Sequence, residues 1–95
     1  MVESFCWRSF VEEQSFKDSA DWIGGFRKLD EVLLVAGWTL GNNPEECYLA
    51  DANRGVRVIQ IQELAWTEPA IPPTRIFFKL APDGSVSLLY IEEDR

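Results

Sequence analysis

Hydrophobic positions along this chain change their period part-way. From residue 2 to residue 14 they recur at helical spacing. Val2, Phe5, Cys6, Phe10 and Val11 fall near the i, i+3, i+4 positions of one stripe, with Trp7 beside it and Glu12 and Glu13 beyond it. This predicts a helix within residues 2–14. Ser15 is placed to cap a second helix, with Asp18 in its first turn, that runs to Ile23. Phe16, Ala20 and Ile23 share one face of it. Gly24-Gly25 then ends it, as glycine past a last helical turn commonly does.

Between Leu29 and Leu40 the pattern admits two readings. Val32-Leu33-Leu34-Val35-Ala36 is a continuous apolar run, as in a strand buried on both faces. It also suits a short buried helix capped by Asp30 and closed by Gly37. The branched Val32 and Val35 tilt the expectation toward a strand.

Downstream the period shortens to two. Gly41-Asn42-Asn43-Pro44 signals a turn, Cys47 to Ala50 a short strand, and Asp51-Ala52-Asn53-Arg54-Gly55 a second turn. Asn53 and Gly55 there suit positive φ. From Val56 to Trp66, Val56, Val58, Gln60 and Gln62 point one way and Arg57, Ile59, Ile61 and Glu63 the other. Pro69 to Pro73 breaks the chain. Thr74 to Leu80 and Ser85 to Ile91 then flank Ala81-Pro82-Asp83-Gly84, which predicts a β-hairpin. In its second arm Val86, Leu88 and Tyr90 alternate with Ser85, Ser87 and Leu89. The fold expected is α+β: one or two N-terminal helices packed on a mostly antiparallel sheet of four or five strands. Residues 1–95 are the size of a single domain.

Charge narrows the function more than composition does. Sixteen acidic residues face nine basic ones with no histidine, a net charge of −7. Nucleic acid requires a basic footprint, and an anionic membrane surface repels such a chain. The longest apolar run falls far short of the ~20 residues of a membrane span. Met1 to Ser4 lacks the basic and apolar regions of a secretory signal. With Cys6 and Cys47 isolated in sequence, two free thiols in a cytoplasmic setting are expected.

Catalytic chemistry finds little footing. Without histidine the chain lacks the usual general base and the commonest transition-metal ligand. Cys6 sits on the helical stripe, and Glu45-Glu46 ahead of Cys47 disfavours its thiolate. Adjacent carboxylates, as in Glu12-Glu13 or Glu92-Glu93-Asp94, point apart and make poor acid/base pairs. Asp51 to Gly55 lacks the closing Glu of a calcium loop, since Gln62 stands there. Gly24-Gly25-Phe26-Arg27-Lys28 has neither phosphate-loop spacing, and no cofactor is expected.

The reading that follows is a non-catalytic binding protein. A basic protein partner would be drawn to the acidic surface, and association would be steered electrostatically. Inhibitors of the immunity type, which neutralise toxins such as nucleases, share this size and charge; that likeness is one of class alone. The expected contact surface is Glu45, Glu46 and Asp51, which flank a short strand between two turns, with Trp38 as the ring anchor. Trp66, also followed by Thr, is the other candidate anchor. The competing reading is a structural or regulatory subunit of a larger complex, whose acidity only serves solubility.

Overall fold

The Pro82-Asp83-Gly84 turn folds as its chemistry requires. In the computed structural model the Ala81 N–H donates to Ser85 O and the Gly84 N–H to Ala81 O, each at 2.9 Å. Asp83 Oδ1 accepts from the Ser85 N–H at 2.9 Å and from the Ser85 hydroxyl at 2.8 Å. Gly84 takes φ +90°, which a Cβ would resist. The arms are β4 (Thr74–Leu80) and β5 (Val86–Glu93), antiparallel as expected.

The structure describes residues 10–23, 25–67 and 70–94, apart from the side chains of Phe26, Arg27, Trp38 and Asn42. Its elements run β1 (Phe10–Glu12), α1 (Gln14–Ser19), a 3-10 helix (Ala20–Ile23), α2 (Phe26–Asn42), a 3-10 helix (Pro44–Glu46), β2 (Tyr48–Asp51), β3 (Val56–Ile61), β4 and β5. The strands form one sheet in the order β1-β5-β4-β3-β2. Every pairing is antiparallel except β1 with β5. This is the expected α+β arrangement. Helices cover one face, where Phe16, Val32, Ala36 and Leu40 meet Ile76, Phe78, Val86 and Leu88 in a common core.

Several local expectations need correction. The helix proposed within residues 2–14 falls mainly on residues 1–9, outside the described residues. At its end the chain is a strand, because Phe10 to Glu12 pair with Val86 to Leu88 of β5. Leu29 to Leu40 belongs to a helix, not a strand. Val32, Ala36 and Leu40 are buried at helical spacing, whereas Leu34 is 73% exposed. The five-residue apolar run therefore concealed a period of 3.6. In the second turn only Gly55 takes positive φ, +70°. Asn53 instead donates its backbone N–H to Asp51 Oδ1 at 3.1 Å. Finally, Phe77 pairs with Tyr90 but Phe78 with Leu88, so Leu89 is an extra residue in β5. That bulge reverses the alternation: Ile91 is buried and Tyr90 is 46% exposed.

Ser15 does not cap its helix. It joins a second arrangement that closes the side of β5 left bare where β1 stops. The Glu13 N–H donates to Leu88 O at 3.0 Å. The Ser15 hydroxyl donates to Leu89 O at 2.6 Å, the Ile91 N–H donates to Ser19 Oγ at 3.0 Å, and Trp22 Nε1 donates to Ile91 O at 3.3 Å. Positions 15, 19 and 22 recur at i, i+4, i+7, so one helical face satisfies the strand backbone in place of another strand.

On the sheet face away from the helices, register lines up Tyr48, Val58, Phe77 and Tyr90 in one row across four strands. A polar row, Gln60, Arg75 and Glu92, runs beside it, with Arg75 paired to Glu92. Among the described residues, no helix is long and apolar enough to cross a membrane.

Candidate partner-binding groove

Unequal strand lengths open a groove at the β2 side of the sheet. β2 pairs with β3 through Tyr48 opposite Val58, Leu49 opposite Arg57, and Asp51 opposite Val56, with an irregularity at Ala50. β3 continues to Ile61, and on its other side it stays paired with β4 as far as Thr74. From Ile59 to Ile61 its β2 side therefore meets no strand among the described residues. The chain ahead of Tyr48 is a 3-10 turn instead. Arg57 Nη1 donates to Glu45 O and to Cys47 O, both at 2.9 Å, and ties this Pro44–Glu46 turn to β3.

Two clefts occupy the space so left. One, of 560 Å³, is lined by Cys47, Tyr48, Val58, Ile59 and Gln60. The other, of 350 Å³, includes Ile59, Gln60 and Ile61 of β3, Val35 and Thr39 of α2, and Trp66. They share Ile59 and Gln60, and so flank the bare side of β3, the first toward the open sheet face and the second toward α2. A ring stands beside each: Tyr48 is 74% exposed and Trp66 is 65% exposed. Trp66 is oriented by an indole N–H donated to Glu31 Oε2 at 3.2 Å. Ile59 and Ile61 supply an apolar floor to the second cleft.

Carboxylates lie beside both clefts. Glu45 and Glu46 are exposed directly ahead of Cys47, and Glu63 is exposed in the second cleft, where Glu31 bonds to Trp66. Arg57 has its guanidinium engaged by backbone carbonyls. Cys47 is a free, half-buried thiol. Burial pushes its pKa above the ordinary 9.0 and Glu45 and Glu46 push it further, against the opposing pull of Arg57. The thiol is thus poorly suited to act as a nucleophile at neutral pH. Among the described residues no three His, Cys, Asp or Glu side chains gather as a metal site.

The expected site residues are placed as follows. Glu45 and Glu46 lie in the 3-10 turn directly ahead of Cys47, which lines the first cleft. Asp51 is at the far end of β2. Its carboxylate closes its own turn, accepting the backbone N–H groups of Asn53 at 3.1 Å and Arg54 at 3.3 Å. Trp38 falls within α2, not at a strand end, and its side chain lies outside the described residues. Trp66 carried the same Trp-Thr signal and stands at the groove. Tyr48 and Val35 were not anticipated, and no local signal marks them. Their role depends on where β2 stops relative to β3.

No protein-family profile matches the sequence, and no curated protein shows significant similarity to it.

Proposed function

We propose that this is a small, acidic, non-catalytic binding protein of inhibitor type, which neutralises a basic protein partner such as a toxin or nuclease at the β3 groove. The observation that carries this reading is the coincidence of two exposed rings, Tyr48 and Trp66, with nearby exposed carboxylates along one bare strand edge flanked by clefts. Exposed aromatic residues beside a cleft are the usual anchors of protein interfaces, and surrounding charge selects and steers the partner. A net charge of −7 adds a long-range attraction for cations. A cytoplasmic setting suits the free Cys47 thiol.

A second reading, a structural or regulatory subunit, is favoured by a different feature. The row of Tyr48, Val58, Phe77 and Tyr90 leaves apolar surface on the sheet face without a covering helix among the described residues.

The test begins with capture of partners from the native cell and their identification by mass spectrometry. Association is then measured from low to high salt for wild type, Glu45→Lys, Glu46→Lys and Asp51→Lys. For an inhibitor, the wild-type association rate falls steeply as salt rises while dissociation changes less. Charge reversal at Glu45 or Glu46 slows association more than reversal at Asp51. A salt-independent rate with all three variants binding normally means that the acidity serves solubility, and the subunit reading replaces this one.

A further inference from the structure

We infer that the partner enters the groove as an extended strand, added to the bare side of β3 in line with β2. This rests on the reading above and specifies how the same groove is filled. Three observations support it. Main chain from Ile59 to Ile61 has strand pairing on the β4 side only, among the described residues. Such an edge is a template for another chain unless something blunts it. No proline, lysine or bulge does so here: the residues are Ile59, Gln60 and Ile61. By contrast, the bare side of β5 is satisfied by Ser15, Ser19 and Trp22.

The walls specify the pattern of the incoming strand. Ile59 and Ile61 share a face with Ile76 and Thr74, the face that α2 covers, and Gln60 projects to the other. Alternate residues of the added strand therefore meet Val35 and Trp66 on one side, and lie beside Val58 and Tyr48 on the other. An apolar set fits the first side. Basic residues on the second set and at the ends reach Glu45, Glu46 and Glu63. The run from Ile59 to Glu63 is about 13 Å at ~3.3 Å per step, so about five partner residues fill it.

A second copy of this chain is a poor occupant. Each copy carries a net charge of −7. The occupant that the charge fits is a basic strand.

The experiment uses the full chain, labelled with ¹⁵N, and a blocked peptide of about eight residues that alternates lysine and valine. Two further peptides carry backbone N-methyl groups, one on every lysine and the other on every valine. Each removes the N–H donors from one edge of the extended peptide and leaves the other edge intact. Strand addition predicts that the parent peptide binds saturably, shifting the amides of Ile59 to Ile61 and the Trp66 indole N–H. One methylated peptide then loses about tenfold or more in affinity, as expected for two or three lost main-chain hydrogen bonds, while the other binds like the parent. Equal binding of all three peptides at the groove overturns strand addition and leaves the acidic-groove reading standing. No saturable binding, or shifts confined to surfaces away from Ile59 to Trp66, also overturns it. Parent binding indifferent to salt and to Glu45→Lys and Glu46→Lys sinks the acidic-partner reading instead, whatever the methylated peptides show.

Discussion

Trp66 donates its indole N–H to Glu31 Oε2 at 3.2 Å, and so joins the segment after β3 to α2 beside the groove. Both side chains keep contact with water, so the bond adds little to folding stability. Its effect is to orient the ring before a partner arrives. Glu31→Ala is therefore expected to change unfolding free energy by less than about 0.5 kcal/mol. It should shift the Trp66 indole resonance and weaken partner binding at the same time. Urea unfolding and an NMR titration of the same sample check both halves. A large loss of stability with unchanged binding would contradict the role given to this pair.

Ser19 and Ser15 offer a contrast within one helix. The Ser19 hydroxyl is part-buried, accepts the Ile91 N–H and donates to Phe16 O at 2.9 Å. Ser19→Ala leaves a strand N–H without its partner, at a cost of about 1–3 kcal/mol. Ser15 is exposed, and water can replace its bond to Leu89 O. Ser15→Ala is expected to cost about 0.5–1 kcal/mol. Urea midpoints for the two variants should fall in that order. Amide exchange at Ile91 should quicken in Ser19→Ala.

The two residues Val32 and Leu34 separate helix from strand directly. In a strand they share a face; in α2 they oppose one another. Val32 is fully buried and Leu34 is 73% exposed. Val32→Ala is expected to cost about 2 kcal/mol, and Leu34→Ala less than about 0.5 kcal/mol. Equal costs in chemical denaturation would favour the strand.

The same stretch shows where sequence is a sufficient guide and where it is not. Pro82-Asp83-Gly84 was legible because turn chemistry is local: Gly84 needs its φ, and Asp83 bonds to Ser85 two residues on. Phe16, Ala20 and Ile23 were legible for the same reason, since helical spacing alone sets their face. Leu29 to Leu40 misled because an all-apolar run carries no phase; only the sheet beneath α2 separates Val32 from Leu34. β1 was hidden because its three residues pair with β5, more than seventy positions away. The Leu89 bulge likewise arises from pairing with Phe77 and Phe78. Glu45 and Glu46 were singled out by charge between turn signals, and they stand in the 3-10 turn ahead of Cys47. The groove itself was not legible, because it exists only where β3 outruns β2.

Asp83 supplies a pH dependence with a definite sign. Hydrogen bonds from the Ser85 backbone N–H, and then from its hydroxyl, hold the Asp83 carboxyl below its ordinary pKa of 3.8. A carboxyl whose pKa is lower folded than unfolded stabilises the fold above the unfolded value. The contribution fades as pH falls through the folded value. Asp83→Ala should thus lower stability at neutral pH, and the gap from wild type should narrow below pH 3.8. NMR titration of the Asp83 carboxyl carbon is expected to give a midpoint below 3.8. A midpoint at or above it would remove the turn's electrostatic contribution.

The arrangement of side chains along β5 also limits how the molecule can assemble. Growth of a fibre by repeated edge pairing needs two receptive margins on every subunit, one to accept and one to offer. Here one margin ends in the three-residue β1, followed by Ser15, Ser19 and Trp22 bonded to β5. On that flank, among the described residues, repeated pairing would meet only the three-residue margin of β1, because the rest of β5 is already bonded by side chains.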